Sequence, residues 1–280
     1  MENRKPLVIY HAGCTDGFAS AWCFWDCFES VDFHPGIYNE PPPDVTGRDV
    51  FLVDFSYKRA VVKAMLKIAK NVTLIDHHAS AIKDLQGLSG LNTYTDINHS
   101  GAVLAWNYLH QFSKKPAPLL IQHIEDRDLW KFDMPNTREI HAWLSSHPQD
   151  FNLWDAFMTF GEVKLGIMAQ EGAVIMRMRK FDKELNEILP AVTRRMSIAG
   201  HNVPVANVPP SMASEAGNLL CANELFAACY HDTAEERVFG LRSKKPHGTD
   251  VQEIATSLGG GGHKHAAGFV VPRTHELAKL

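Results

Sequence analysis

The chain has 280 residues, 45% hydrophobic and 21% charged, with a formal net charge of −4 and five cysteines. This length suits two domains of unequal size, and the balance excludes a disordered or fibrous chain. The negative charge argues against a protein that coats long nucleic acid through a basic surface and leaves a short anionic substrate open.

The first half alternates strand-like and helix-like patterns, which predicts an α/β sheet of mostly parallel strands. Residues 7–10 (LVIY) read as a buried strand, followed by a turn at 12–15 and an apolar helix over about 16–28. A second strand at 50–53 leads into a helix over about 57–70 with Val61, Met65, Leu66 and Ile68 near one face. A third strand occupies 72–75, and 101–112 forms a further helix. Residues 41–43 are all proline and mark a rigid connection. Between 171 and 189 the spacing of Val174, Met178, Phe181, Leu185 and Ile188 gives one long helix with an apolar seam. That seam is read as a linker helix packed on its own domains, with a homodimer contact as the sharper alternative.

A second unit follows Pro190: a strand at 203–208, a helix at 212–221, strands at 226–231 and 237–241, a helix at 251–258, a glycine run and a strand at 268–271. The residues after Pro272 read as a loose tail. No apolar run approaches the ~18 residues of a membrane span. The cysteines are odd in number and come without a signal peptide, so a disulfide framework is not expected and a cytoplasmic location is. Cys23 and Cys27 lie one helical turn apart but lack a partner pair at zinc spacing.

Each of the three early strands ends in a metal-ligand type: His11 and Asp16 after the first, Asp54 after the second, Asp76, His77 and His78 after the third. In parallel α/β sheets the carboxyl ends of the strands line the ligand crevice, so these residues should converge. Asp54 alone could equally be a helix cap, but three such sites on consecutive strands are hard to read as three caps. Carboxylates and imidazoles together suit hard or borderline divalent cations, and a two-ion site suits phosphoester hydrolysis.

The sequence Ile75-Asp76-His77-His78 after an apolar strand, with His11 to Gly17 upstream, resembles the DHH phosphoesterases. The run Gly259 to Gly262 followed by His263, with Ala266-Ala267-Gly268-Phe269 beyond, resembles the DHH-associated domain of the same proteins, and the two signatures together span nearly the whole chain. The resemblance implies a DHH metal-binding domain over about 1–150, a helical linker region over 151–195 and a smaller α/β substrate-binding domain over 196–280, with a cleft between the domains. It implies His11, Asp16, Asp54, Asp76 and His77 as metal ligands, Asp54 as the bridge between two ions, and His78 with Asp76 and Asp54 as the catalytic set. The last ligand should be an acid after a helix, for which Asp126 is favoured over Asp128.

In the second domain Arg242, Ser243, Gly260, Gly261, Gly262 and His263 would hold phosphate, the glycines by aiming successive N–H groups into one concavity. His265 reads as a surface residue. The implied cofactor is a pair of divalent ions, manganese first, with magnesium, cobalt or zinc as alternatives. One departure is Cys14, where many such proteins carry a further carboxylate; it is either a soft thiolate ligand or a small turn residue. Aromatic residues between the signatures, Trp130 among them, are either core or base-stacking surfaces. The expected activity is that of a nanoRNase-like phosphodiesterase on short oligonucleotides or dinucleotides. A nucleotide phosphatase, a cyclic-dinucleotide phosphodiesterase and a non-catalytic scaffold are the alternatives.

Overall fold

The computed structural model describes residues 4–178, 181–246 and 248–279. The chain divides into two compact units, Met1–Arg179 and Lys180–Leu280. It is an α/β protein with a parallel sheet in the first unit and a mixed sheet in the second. Among the described residues no helix is long and apolar enough to cross a membrane.

The first unit runs β1 (Leu7–His11), α1 (Thr15–Cys27), β2 (Asp32–Gly36), β3 (Asp49–Val53), α2 (Arg59–Met65), β4 (Asn71–Asp76), α3 (Ala79–Leu85) and β5 (Leu91–Thr95). Five helices follow: α4 (Gly101–His110), α5 (Leu119–Asp128), α6 (Thr137–Leu144), α7 (Phe151–Met158) and α8 (Glu162–Met178). The strands are parallel in the order β2-β1-β3-β4-β5. Because side chains alternate along a strand, Leu7, Ile9, Val50, Leu52, Val72 and Leu74 pack on one face with Val62, Met65 and Leu85. Val8, Val53 and Ile75 pack on the other face with α1, α4, α5 and the later helices. Burial on both faces explains why β3 and β4 read as nearly continuous apolar runs.

The strand order reverses between β1 and β3, the topological switch point where a crevice opens beyond the carboxyl ends of the strands. Tyr10 pairs with Val53 and Val53 with Ile75. Thus His11, Asp54 and Asp76 are the next residues on three neighbouring strands.

The second unit runs α9 (Phe181–Val192), β6 (Thr193–Ile198), β7 (His201–Asn207), α10 (Ala213–Leu220), β8 (Ala227–Asp232), β9 (Glu236–Arg242), α11 (Val251–Ser257), β10 (Gly261–His263) and β11 (Ala266–Pro272). Its sheet order is β10-β11-β9-β8-β7-β6. Only the β7·β8 pair is parallel.

Four expectations need correction. The helix expected over 57–70 ends at Met65, and the next residues make three-residue turns such as Ile68 N to Met65 O, leaving Ile68 exposed. Strands β2, β5, β6 and β10 lie outside the expected set; β2 carries Pro35, at the edge of the sheet where a missing N–H is tolerated. In the expected seam Val174 is exposed and Leu185 buried, while the Met178 and Phe181 side chains lie outside the described residues. The chain after Pro272 is not loose: it ends in a 3-10 turn, Glu276–Ala278, with Leu277 and Ala278 buried.

That turn is tied to a buried arginine. Arg237 is 1% exposed; its Nε and Nη2 donate to Asp232 Oδ1 and Oδ2 at 2.7 and 2.9 Å, and its Nη1 donates to Leu277 O at 3.2 Å. Its guanidinium lies 4.0 Å over the Tyr230 ring. The hydrogen bonds from Arg237, and then the one from Arg273, hold the Asp232 carboxyl well below its ordinary pKa. Its contribution is therefore full above the ordinary value of 3.8 and is lost only as pH falls through the lower folded value. Asp232→Ala should leave the guanidinium buried without its partner and lower the stability of the second unit by about 2–4 kcal/mol. Urea unfolding followed by a probe in that unit would check this, and a loss under 1 kcal/mol would show the pair to be dispensable.

Candidate metal centre

The ends of β1, β3 and β4 bring their polar residues into one buried cluster. Asp54 is 1% exposed and has a left-handed φ of 52°, an uncommon backbone for a non-glycine residue and one often found at functional sites. Its Oδ1 lies 3.1 Å from His77 Nε2 and 3.8 Å from His78 Nδ1, and its Oδ2 lies 3.5 Å from His11 Nδ1. Asp54 thus faces imidazoles with both oxygens.

Two glycines make the approach possible. A Cβ on Gly17 would meet His11 O at 2.4 Å, so only glycine lets the first turn of α1 close on the end of β1. A Cβ on Gly101 would meet Asp54 Cβ at 2.5 Å and Asp16 Oδ2 at 3.0 Å. The start of α4 is thereby pressed into the cluster, and Asp16 accepts from Gly101 N at 2.6 Å and Ala102 N at 3.0 Å. This is the favourable place for a carboxylate at a helix N-terminus. Asp16 Oδ2 also stands 3.7 Å from His77 Nε2.

Within the first unit three sets of donor atoms lie close enough to share a cation: Asp54, Asp76, His77 and His78; His11, Cys14 and Asp54; and Asp16, His77 and Asp128. Asp54 and His77 each belong to two sets. Asp76 is fully buried; its Oδ1 accepts from His77 N, His78 N and His78 Nδ1 at 2.7, 3.1 and 2.7 Å. Its Oδ2, like Asp54 Oδ2 and His11 Nδ1, is buried without a hydrogen-bond partner. Such atoms are costly in a protein interior. Their number and their oxygen and nitrogen chemistry fit divalent cations, and the cluster is consistent with a divalent metal site.

Asp126 is not in this cluster. It is 4% exposed, and its carboxylate accepts from Asp133 N at 2.8 Å, Met134 N at 3.2 Å and Thr137 Oγ1 at 2.6 Å. The acid that meets the cluster is Asp128, whose Oδ2 lies 3.5 Å from His77 Nε2. The Asn98–Gly101 segment serves mainly as a cap: Ser100 Oγ accepts from Val103 N, and Glu125 accepts from Ser100 N and engages His99.

The ionisation of the cluster follows from burial and crowding. Burial, then repulsion by Asp54 and Asp128, pushes Asp16 well above the ordinary carboxylate value. Burial likewise raises Asp128. Burial works to raise Asp54 too, but His11, His77 and His78 outweigh it and hold it well below. For His77 and His78 burial works against the charged ring, yet the surrounding carboxylates push them up to about 10 and about 9. The Cys14 thiol is raised well above its usual value by burial and by Asp54, Asp128 and Asp16.

In the second unit two residues of the glycine run, Gly260 and Gly262, are sterically required. A Cβ on Gly260 would meet Gly268 O at 2.0 Å, Gly262 has φ 138°, and β10 places His263 opposite Ala266. Arg242 is anchored along α10, donating from Nη2 to Ser214 Oγ at 2.8 Å and from Nη1 to Leu241 O at 2.8 Å. The Ser243 hydroxyl is buried, donates to Thr249 O at 2.6 Å and meets His265 Nδ1 at 2.8 Å. His265, expected at the surface, is therefore a half-buried support of Ser243.

No family model matches the chain. An uncharacterized protein of Acanthamoeba polyphaga mimivirus is 28% identical over 295 aligned residues, covering 96% of this chain and 68% of that protein. Among solved structures, the DHH domain of a member of the s1p family of ribosomal proteins aligns with a TM-score of 0.57 at 11% identity, covering 96% of this chain and 83% of that one. A pGpG-specific phosphodiesterase from Vibrio cholerae aligns with a TM-score of 0.52 at 13% identity, covering 96% and 94%. An exopolyphosphatase-related protein from Bacteroides fragilis aligns with a TM-score of 0.50 at 12% identity, covering 99% and 89%. The fold is similar to that of these three structures, one of which is a DHH domain. At these identities the likeness is one of architecture.

Asp126 and Asp128 should separate by variant. Asp126→Ala leaves two N–H groups and a hydroxyl without their acceptor and should cost about 2–4 kcal/mol of stability. Asp128→Ala should change stability by less than about 1 kcal/mol, since it removes a carboxylate already crowded by others, while lowering bound metal. Chemical unfolding with elemental analysis reads both, and equal metal loss without destabilisation in Asp126→Ala would reverse the assignment.

A pH dependence also follows. In the metal-free protein the His77 and His78 values lie above the ordinary 6.5, so their stabilisation is complete below 6.5 and lost as pH rises through about 9 and 10. Asp16 and Asp128, also raised, act in the same direction at lower pH. Thermal unfolding in chelator should show the first unit losing stability between pH 7 and 10, and a saturating divalent cation should suppress the loss. A flat chelator profile would contradict the proposed charge arrangement.

Proposed function

We propose that the protein is a metal-dependent phosphodiesterase acting on short oligonucleotides or dinucleotides. The observation that carries this reading is the convergence of His11, Asp54 and Asp76 from three adjacent parallel strands with Asp16, His77 and Asp128, with carboxylate oxygens buried and lacking a hydrogen-bond partner. The ligands would be His11, Asp16, Asp54, Asp76, His77 and Asp128, with Asp54 as the bridge because it faces groups on both sides. Asp128 replaces Asp126 in this set. Cys14 brings a thiol to the His11 and Asp54 side and would add a soft donor there. Manganese is the first choice for an otherwise oxygen- and nitrogen-rich set.

When bound, divalent cations supply positive charge for phosphoryl oxygens and make an attacking water more acidic. The chain's own residues do the rest. Asp76 Oδ1 holds His78 Nδ1 at 2.7 Å and so fixes the ring and its proton on that side. In this reading the other ring nitrogen of His78 would serve proton transfer at the leaving oxygen. Arg242, Ser243, the glycine run and His263 would supply phosphate contacts on the second unit; the Gly260 N–H is not among them, since it donates to Ala255 O at 2.8 Å. The architectural likeness to a pGpG-specific phosphodiesterase supports a dinucleotide-sized substrate, as does the net charge of −4.

The test is a hydrolysis screen over pApA, longer oligonucleotides, cyclic dinucleotides and pAp with manganese and with excess chelator. The expected result is manganese-dependent cleavage of the short linear substrates, abolished by chelator. Asp54→Ala should cost more than the roughly 10–100-fold typical of a residue that only orients a ligand. Full activity in chelator, or no hydrolysis of any member with metal bound, would sink the reading, and the second outcome would favour a non-catalytic binding protein.

A further inference from the structure

Helix α5 ends at Asp128, and the chain then takes a conformation that needs explaining. Trp130, Phe132 and Asn136 have φ of 55°, 54° and 65°. Large aromatic residues rarely adopt a left-handed backbone, and where they do the surroundings must enforce it. Asp126 enforces it here. Its carbonyl accepts from Lys131 N at 2.9 Å and Phe132 N at 3.3 Å, and its carboxylate accepts from Asp133 N, Met134 N and Thr137 Oγ1.

The result of this loop is the placement of an indole beneath two guanidiniums. Trp130 meets Phe132 edge-on at 5.0 Å, with Arg127 Cζ 4.6 Å and Arg138 Cζ 5.6 Å from its ring centroid. Arg138 is exposed and rests mainly on Phe132, at 3.6 Å. Arg127 instead lines a cavity of about 230 Å3, together with residues 13–16, Ile124, Asp128 and His141. That is room for roughly seven waters at ~30 Å3 each, ample for a phosphoryl group.

Arg127 differs from three hydrogen-bonded inward arginines and shares its state with Arg194 of the second unit, which lies 5.3 Å over the Tyr230 ring with Nε and Nη2 buried and without a hydrogen-bond partner. Arg48 donates to Asp32 and to the carbonyls of Lys5 and Pro6, Arg237 to Asp232, and Arg242 to Ser214. Among the described residues the Arg127 guanidinium has no hydrogen bond or ion pair, although Asp16 and Asp128 line the same cavity. A guanidinium stacked on an indole is held in plane, and its edge N–H groups remain for a planar or tetrahedral anion. The same cavity is lined by the start of α1, whose N-cap Cys14 makes no side-chain cap, and a helix N-terminus is a favourable neighbour for an anion.

We propose that Arg127, braced by Trp130, is the arm with which the first unit holds a phosphoryl group in the cavity beside Asp16 and Asp128. The inference rests on the metal-dependent reading of the cluster, because carboxylates without cations would expel an anion. Trp130 is a positioning residue: it acts through Arg127 and needs no contact with substrate. Asp126 supports both through the loop, a role unrelated to metal binding.

The experiment is calorimetric titration of adenosine 5′-monophosphate into the manganese-loaded full chain, with manganese affinity and hydrolysis of pApA measured alongside. Arg127→Ala should weaken the monophosphate by roughly ten- to a hundredfold, the worth of a charge-assisted contact, with manganese affinity unchanged. Arg127→Lys should recover part of the loss, since a point charge lacks the fork. Trp130→Ala should weaken binding several-fold and Trp130→Phe should restore it. Lys131→Ala, which removes an exposed charge from the same loop, should change neither affinity.

If Arg127 only offsets the carboxylates, manganese affinity will fall in Arg127→Ala and monophosphate binding will follow it, which overturns the proposal. Unchanged monophosphate affinity, or no binding by the wild-type chain, overturns it as well. Loss of monophosphate binding in Arg127→Ala with no pApA hydrolysis by any form supports the arm and refutes the phosphodiesterase reading alone.

Discussion

Carboxylates forced together in a buried space repel one another, and the first unit is organised around that conflict. Asp16, Asp54 and Asp128 each stand within 3.7 Å of the same His77 nitrogen. Without cations the conflict is met by imidazoles that keep their protons, by Asp16 drawing on the N-terminus of α4, and by raised carboxyl pKa values. With cations it disappears. The glycines at 17 and 101, the left-handed Asp54 and the switch point of the sheet are the structural means of holding the acids close.

The unit separates its acids by how fully their oxygens are satisfied. Asp126 accepts three hydrogen bonds and is at rest, a scaffold for the loop that follows α5. Asp54 Oδ2 and Asp76 Oδ2 are equally buried and have no such partner. Burial alone does not distinguish the two kinds; the presence or absence of fixed N–H and O–H donors does. The same contrast sets Arg237, bound on two sides, against Arg127, which is stacked but not paired.

The second unit shows the complementary device. At Gly260 and Gly262 a Cβ would strike β11, so the backbone of β10 can lie close against that strand. Arg242 and Ser243 sit at the end of β9, and both are fastened by neighbouring side chains, Ser214 and His265. Rigid placement of a guanidinium suits an anion that is recognised by shape and charge.

The sequence by itself determined the α/β class, a mostly parallel sheet and the position of His11, Asp54 and Asp76 at strand ends, because apolar periodicity and strand termini are local properties that survive without tertiary contacts. It also marked the glycine run as an anion nest or a flexible turn, and the close approach at Gly260 and Gly262 belongs to the tertiary structure. Tertiary structure decided the rest. Asp126 and Asp128 are two residues apart on one helix and so point to different sides; the sequence shows that they diverge, but only the packing of α5 decides which side faces His77. The docking of the C-terminal turn depends on Arg237, a partner 40 residues away, and His265 became a support for Ser243 across 22 residues. Contacts of that range leave no periodic trace in the chain, since they depend on which faces the fold brings together.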